Sequence, residues 1–267
     1  MSLAAPSDLS VISRAGERRM SSLQKGRYLC REAQTSDEIA VLQALRARCF
    51  QSNCPLDQDD FDARCRHFGV YELAPGGDVS LPCAAFRLLI LPPEAGLSQS
   101  YGAQFYGLEA LSAVAGPKLE LGRFCITPDR MDPDILRLCW AMLTRIVDEE
   151  GITMLIGCSS FRGVDPAPYH DVFALLHARH QAPSQLGPSV QAAEVWHYPA
   201  ALADHRLDLK QAQRLMPPLL RSYLMMGAWV SDHAVIDRNL GTLHVYTAVS
   251  IADVPHVRAR LLRMAAQ

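Results

Sequence analysis

The stretch KLELGRFCITPDRMDPDILRLCWAMLTRIVDEEGITMLIGCSSF, Lys118 to Phe161, decides the fold. Its first part, Lys118 to Ile126, reads as a buried strand. Asp132 before Pro133 is a helix start, because a carboxylate caps free backbone N–H groups and proline suits the first turn. Gly151 marks the stop, and Ile135, Leu138, Cys139, Met142, Leu143 and Ile146 recur on one apolar face between them. ITMLIGCSSF is then a second strongly apolar strand. Strand, helix and strand in close succession form a crossover, which makes the two strands parallel.

Two charges interrupt the first strand. Glu120 and Arg123 are three apart, so an ideal pleat sends them to opposite faces, Glu120 with Gly122 and Phe124, Arg123 with Leu121 and Cys125. Gly122 permits a bulge or a close approach, and either changes where the charges point. A buried ion pair or an edge strand accounts for such residues structurally. An active site is an equal rival, since an unpaired buried carboxylate carries a large desolvation cost.

Working outward, TSDEIAVLQALRARCF predicts a helix over 37–50, capped by Thr35 or Ser36, with Ile39, Leu42, Leu45 and Phe50 at helical spacing. A polar loop rich in aspartate follows. FGVYELA and CAAFRLLIL, separated by a Gly-Gly turn, read as a hairpin. Residues 92–117 mix Tyr101, Phe105 and Tyr106 with glycine and serine and suggest no regular element. DPAPYHDVFALLHARH supplies another helix, residues 181–200 read as a loop, and the late region as a helix restarted at Pro217 and Pro218, a turn at Gly227 and a strand pair turning near Asn239–Gly241. The tally is six or seven strands and four or more helices. Residues 1–26 read as a loose polar arm and 27–267 as one folding unit.

Bulk composition narrows the function. The 267 residues are 49% hydrophobic, with 26 Lys plus Arg against 28 Asp plus Glu, which lacks a nucleic-acid binder's charge excess. The start lacks a signal peptide's apolar core and no run approaches the roughly 20 residues of a membrane span, so the expected location is cytoplasmic. Cys49, Cys83, Cys125, Cys139 and Cys158 sit in apolar runs and suit a reduced compartment. Cys49, Cys54, Cys65 and His67 lack a tight Cys-x-x-Cys pair, and no metal is expected. The arginines of HVRARLLR near the C-terminus fit a solvated helix face, with anionic lipid or an acidic protein as the sharper alternative.

Backbone N–H groups at the start of the 133–150 helix favour an anion, with Arg130 beside them and Asp129 and Asp132 opposed. Without cradling glycines this fits a single phosphate better than a nucleotide or full coenzyme A.

LRARCF, DDFDARCRH, LELGRFCITPD, LIGCSSFRGVDP and MPPLLRSYLMMGAWVSDHAVIDRN, in that order over roughly residues 38–250, resemble the ornithine acyl-acyl carrier protein N-acyltransferase family. That family is related to the GNAT acyltransferases and more distantly to acyl-homoserine lactone synthases. The resemblance implies a GNAT-like α/β fold, with a mixed, mostly antiparallel sheet that splays between central parallel strands 118–126 and 153–161, flanked by helices. It implies transfer of a 3-hydroxyacyl chain to the α-amine of L-ornithine, giving lyso-ornithine lipid. No cofactor is expected to be bound, since the donor carries its own phosphopantetheine on acyl carrier protein. The product is an amphiphile, so peripheral contact with the inner membrane surface is a further expectation.

The candidate roles follow from chemistry. Glu120 is the leading general base for a protonated amine, and a backbone N–H near Phe124 or Cys125 the oxyanion donor. Cys125 and Cys158 are nucleophiles only in a covalent alternative that ranks below direct attack. Arg46 and Arg123 suit a phosphate, the ornithine carboxylate or acidic carrier-protein residues, with ordinary ion pairing as the rival reading. Asp60 or Asp62 answers the side-chain amine, while Asp57 and Asp59 read as a solvated charge run. His67 orients Asp62 or Glu120, or simply packs. Arg130, Ser159 and Ser160 are expected at the phosphopantetheine arm, and Leu220, Leu224, Met225 and Trp229 at the acyl pocket. Phe124 stands where the family commonly has a small residue, and Thr127 where it commonly has histidine, which leaves chain length and acceptor open. Competing functions are an acyltransferase for another amino acid, a homoserine-lactone synthase using S-adenosylmethionine, and a non-catalytic binder of acyl chains or carrier protein.

Overall fold

The computed structural model describes residues 22–74, 76, 79–130 and 132–267. Strands are β1 (Ser22–Lys25), β2 (Tyr28–Glu32), β3 (Arg66–Leu73), β4 (Val79–Leu91), β5 (Tyr106–Gly107), β6 (Lys118–Ile126), β7 (Met154–Arg162), β8 (Ser189–Val190), β9 (Val195–Trp196), β10 (Trp229–Val230), β11 (Ala234–Asp237) and β12 (Thr242–Ser250). Helices are α1 (Ser36–Phe50), α2 (Pro133–Glu149), α3 (His170–Arg179), α4 (Tyr198–Ala201), α5 (Leu209–Leu215), α6 (Pro218–Leu224) and α7 (His256–Ala265).

The local chemistry of the sequence places the main elements. Thr35 caps α1 by accepting the Glu38 N–H at 3.2 Å, and Asp132 caps α2 by accepting that of Asp134 at 2.9 Å. β3 and β4 form the expected hairpin. Pro217 and Pro218 end α5 and begin α6, since proline cannot donate to the preceding turn. The reading of 181–200 as a loop is corrected by β8, β9 and α4. Elements of two to four residues are too short to show a period, and this also explains why the strand tally was low.

The large sheet runs β1-β2-β3-β4-β6-β7-β12-β11-β9, with β10 also on β12. Its neighbours are antiparallel except β6 and β7. On β4, Ala84, Phe86 and Leu88 face the core against α2, while Ala85 meets Leu42 and Leu45 of α1 across the sheet. Of the expected N-terminal arm, Ser22–Lys25 pair with β2, and 1–21 lie outside the described residues.

Candidate active cleft

β6 and β7 touch only at their first residues, through Lys118 with Met154, Leu119 with Leu155 and Glu120 with Ile156. Beyond that seam each stays paired on its outer side, β6 to β4 as far as Ile126 and β7 to β12 as far as Arg162. The inner edges therefore diverge and open a cleft of about 620 Å³. Gly157 sits at the fork: a Cβ there would lie 2.6 Å from the Leu121 carbonyl oxygen, so only glycine lets the strands approach before they part.

β6 bulges beside this opening. Ala85 faces Cys125 and Arg87 faces Gly122, so Phe86 alone spans Arg123 and Phe124. Arg123, not Gly122, takes the left-handed conformation, at φ 51°. The extra residue resets the pleat. Leu121 joins the α2 core and Phe124 stacks on Phe86, their centroids 6.1 Å apart, whereas Arg123 turns to the face that holds Glu120. The two charges that an ideal strand would separate thus share one side.

Glu120 lines the cleft and is 3% exposed. Its carboxylate accepts the backbone N–H groups of Tyr101 at 2.7 Å and Gly102 at 2.8 Å. Burial raises its pKa above the ordinary glutamate value, opposed by those two N–H groups and by Arg87. Each oxygen retains a second lone pair. Residues 92–117, which gave no regular pattern, are a chain of 3-10 turns around β5 whose Tyr101–Gly102 peptide clasps this acid.

Arg123 belongs to a buried lattice of three arginines and three aspartates. Arg46, 1% exposed, donates to Asp57 at 2.7 Å and to both oxygens of Asp62 at 2.9 and 3.1 Å. Arg87 bridges Asp59 and Asp62, each at 2.6 Å. Arg123 donates to Asp57 and Asp59, both at 3.0 Å, with its guanidinium 4.9 Å from the Tyr101 ring centre. Burial alone would raise the Asp62 pKa, but Arg46 and Arg87 hold it well below the usual carboxylate range. His67 lies 2.9 Å from the Asp62 carbonyl, and burial lowers its pKa, favouring the neutral ring. The solvated-run reading of Asp57 and Asp59 is corrected: Asp57 is 8% exposed, and both are ion-paired. Asp60 is the exposed member of the group.

The other candidates divide between cleft and scaffold. Phe124, Cys125, Ser159, Ser160 and Leu220 line the cleft. Ser159 accepts from Thr247 at 2.8 Å, and Cys125 packs against α1 with its thiol pKa pushed well up beside Cys49. Arg130 points elsewhere, to Glu72 at 2.5 Å, and Asp132, which caps α2, also accepts from Arg27 at 2.9 Å. Leu224 and Trp229 pack against core clusters on the two sides of the sheet, and Met225 is exposed beside Arg258. The cleft wall instead takes Pro217 to Leu220. Exposed Arg162 lines the cleft and was missed: it stands within LIGCSSFRGVDP, but an arginine at a strand end carries no signal of which way it points.

A mostly antiparallel sheet that forks at one parallel pair, with helices on both faces, defines a GNAT-like acyltransferase. Residues 42–141 match the model of the acetyltransferase (GNAT) domain family. The chain is 31% identical over 230 residues to an L-ornithine N(alpha)-acyltransferase from Rhodobacter capsulatus, covering 82% of this chain and 88% of that one. It is 27% identical to an L-ornithine N(alpha)-acyltransferase from Rhizobium meliloti, covering 84% and 80%. It belongs to the L-ornithine N(alpha)-acyltransferase family of enzymes. Among solved structures, an N-acyl amino acid synthase from uncultured soil microbes superposes with a TM-score of 0.45 at 13% identity, covering 90% of this chain and 97% of that one.

Proposed function

We propose that this chain transfers a 3-hydroxyacyl group from the phosphopantetheine arm of acyl carrier protein to the α-amine of L-ornithine by direct attack on the thioester. The observation that carries this reading is a buried glutamate at the head of an open fork between parallel strands, in a chain of this family. The extended arm fits between the diverging strands, with Ser159 and Ser160 along one wall and Phe124 along the other.

An amine that arrives protonated must lose a proton before it can attack. Glu120 is placed to take that proton, directly or through water, and its raised pKa makes it a stronger base than a solvated carboxylate. The carbonyl carbon then becomes tetrahedral, the inner edge of β6 beyond Leu121 offers backbone N–H groups to its oxygen, and the pantetheine thiolate leaves. A thiol with its pKa pushed up is a poor nucleophile, which sets Cys125 behind direct attack. Arg46 and Asp62, engaged by each other and by Asp57 and Arg87, serve by holding the lattice that anchors Arg123 of the bulge. Arg162 is an exposed cation on the cleft for a donor phosphate, in place of Arg130, whereas Arg238, also on the cleft, is paired with Glu194.

The test is expression in a host without ornithine lipids, followed by mass spectrometry of the lipid extract. 3-Hydroxyacyl-ornithine is expected. A different acylated amino acid would reassign the acceptor, and no acylated amine despite soluble protein and a loaded carrier would overturn the proposal.

A further inference from the structure

We infer that the outer face of α7 is a docking surface for an anionic lipid bilayer. On this helix Ala259, Leu262 and Ala265 turn inward toward α2, and Arg263 fixes the contact by an ion pair with Asp148 at 2.9 Å. The opposite face is apolar as well. Val257, Leu261 and Met264 recur at the spacing of one helix stripe and are 66%, 52% and 59% exposed. Met225, 54% exposed, extends the stripe, its sulfur 3.0 Å from Arg258.

Charge complementarity selects the occupant. At 3.6 residues per turn, Arg258 and Arg260 fall on the two flanks of the stripe. No acidic residue occurs between Val254 and Gln267. An apolar row edged by arginines matches the boundary between acyl chains and anionic headgroups, where the row enters and the guanidinium groups stay with phosphate. None of the described helices is long and apolar enough to cross a membrane, so α7 would lie in the interface plane. A second copy of the chain would bring like charge against like charge across the same patch.

Position adds a reason. α6 begins at the cleft wall with Leu219 and Leu220 and ends beside Met225, about 9 Å along the helix at 1.5 Å per residue. An acylated amine formed in the cleft is an amphiphile, and a bilayer held against α7 would receive it close to where it forms. This last point rests on the proposed function; the docking surface does not.

The test is sedimentation of the full chain with phosphatidylglycerol-containing vesicles and with pure phosphatidylcholine vesicles, without substrates. The chain should pellet with the anionic vesicles, and the V257S/L261S/M264S variant should bind on the order of 100-fold more weakly. The R258Q/R260Q variant should lose on the order of tenfold or more, with the remaining binding less sensitive to salt. Acylation of soluble substrates should be unchanged in both, which separates this outcome from failure of the proposed reaction. A chain that stays in solution with anionic vesicles, a triple serine variant that binds as tightly, or a lipid-free dimer abolished by the triple variant would each overturn the inference.

Discussion

Glu120→Gln removes the proposed base with almost no change in shape, yet the geometry makes it more than a silent probe. Both carboxylate oxygens accept a backbone N–H, at 2.7 and 2.8 Å, and an amide supplies one acceptor and one donor group. Whichever way the amide turns, a donor faces either Tyr101 or Gly102 N–H. An unsatisfied buried N–H costs about 1–3 kcal/mol, which for a domain of this size lowers Tm by about 2–12 °C. Loss of a general base should lower kcat by about 10²–10⁴-fold. The assay is steady-state transfer at a temperature where circular dichroism shows the variant folded, with donor binding measured alongside. In the wild type, kcat/KM should fall as pH drops below the raised Glu120 pKa, because the base becomes protonated; the variant should lack that limb. A folded variant with kcat within threefold of wild type, or with the same acid limb, would refute the assignment and leave Glu120 as the clasp for residues 101–102.

Arg46→Met should cost on the order of 3 kcal/mol in urea unfolding, since it removes one of the two cations that buried Asp57 and Asp62 each pair with, leaving Arg123 and Arg87. Asp59 and Asp62 have folded pKa values below their unfolded ones, so their contribution is complete above an unfolded pKa of about 4 and is lost as pH falls below it; urea midpoints measured from pH 6 to pH 3 should decline, and less so in Asp62→Asn. Gly157→Ala would put a Cβ 2.6 Å from the Leu121 carbonyl oxygen, so the β7 backbone must shift and both Tm and donor affinity should fall, whereas the same change at Gly151, which has open space around it, should leave donor affinity intact.

The strand, helix and strand of 118–162 were legible because hydrophobic period, Asp132-Pro133 and Gly151 all agreed. The charges within the strand were legible as anomalies only. Whether Arg123 joins Glu120 depends on one left-handed residue, and nothing about an arginine advertises that conformation. Tyr101 and Gly102 escaped notice because they act through backbone N–H groups, which any non-proline residue offers. Asp57 and Asp60 are chemically alike, and only the path of the loop buries one and exposes the other. In the late segment, the sequence marked an apolar stretch but could not show that α6 divides it between cleft, core and surface.

The three-pair seam between β6 and β7 has a mechanical corollary. From Glu120, the last paired residue, to Ile126 the inner edge runs about 20 Å at roughly 3.3 Å per residue, so the seam acts as the pivot of a long lever. Turning one half of the sheet by about 5° there would shift the mouth by nearly 2 Å by simple trigonometry, with outer pairings intact. Aperture can thus be tuned by small changes at Lys118, Leu119, Met154 and Leu155, which do not line the cleft.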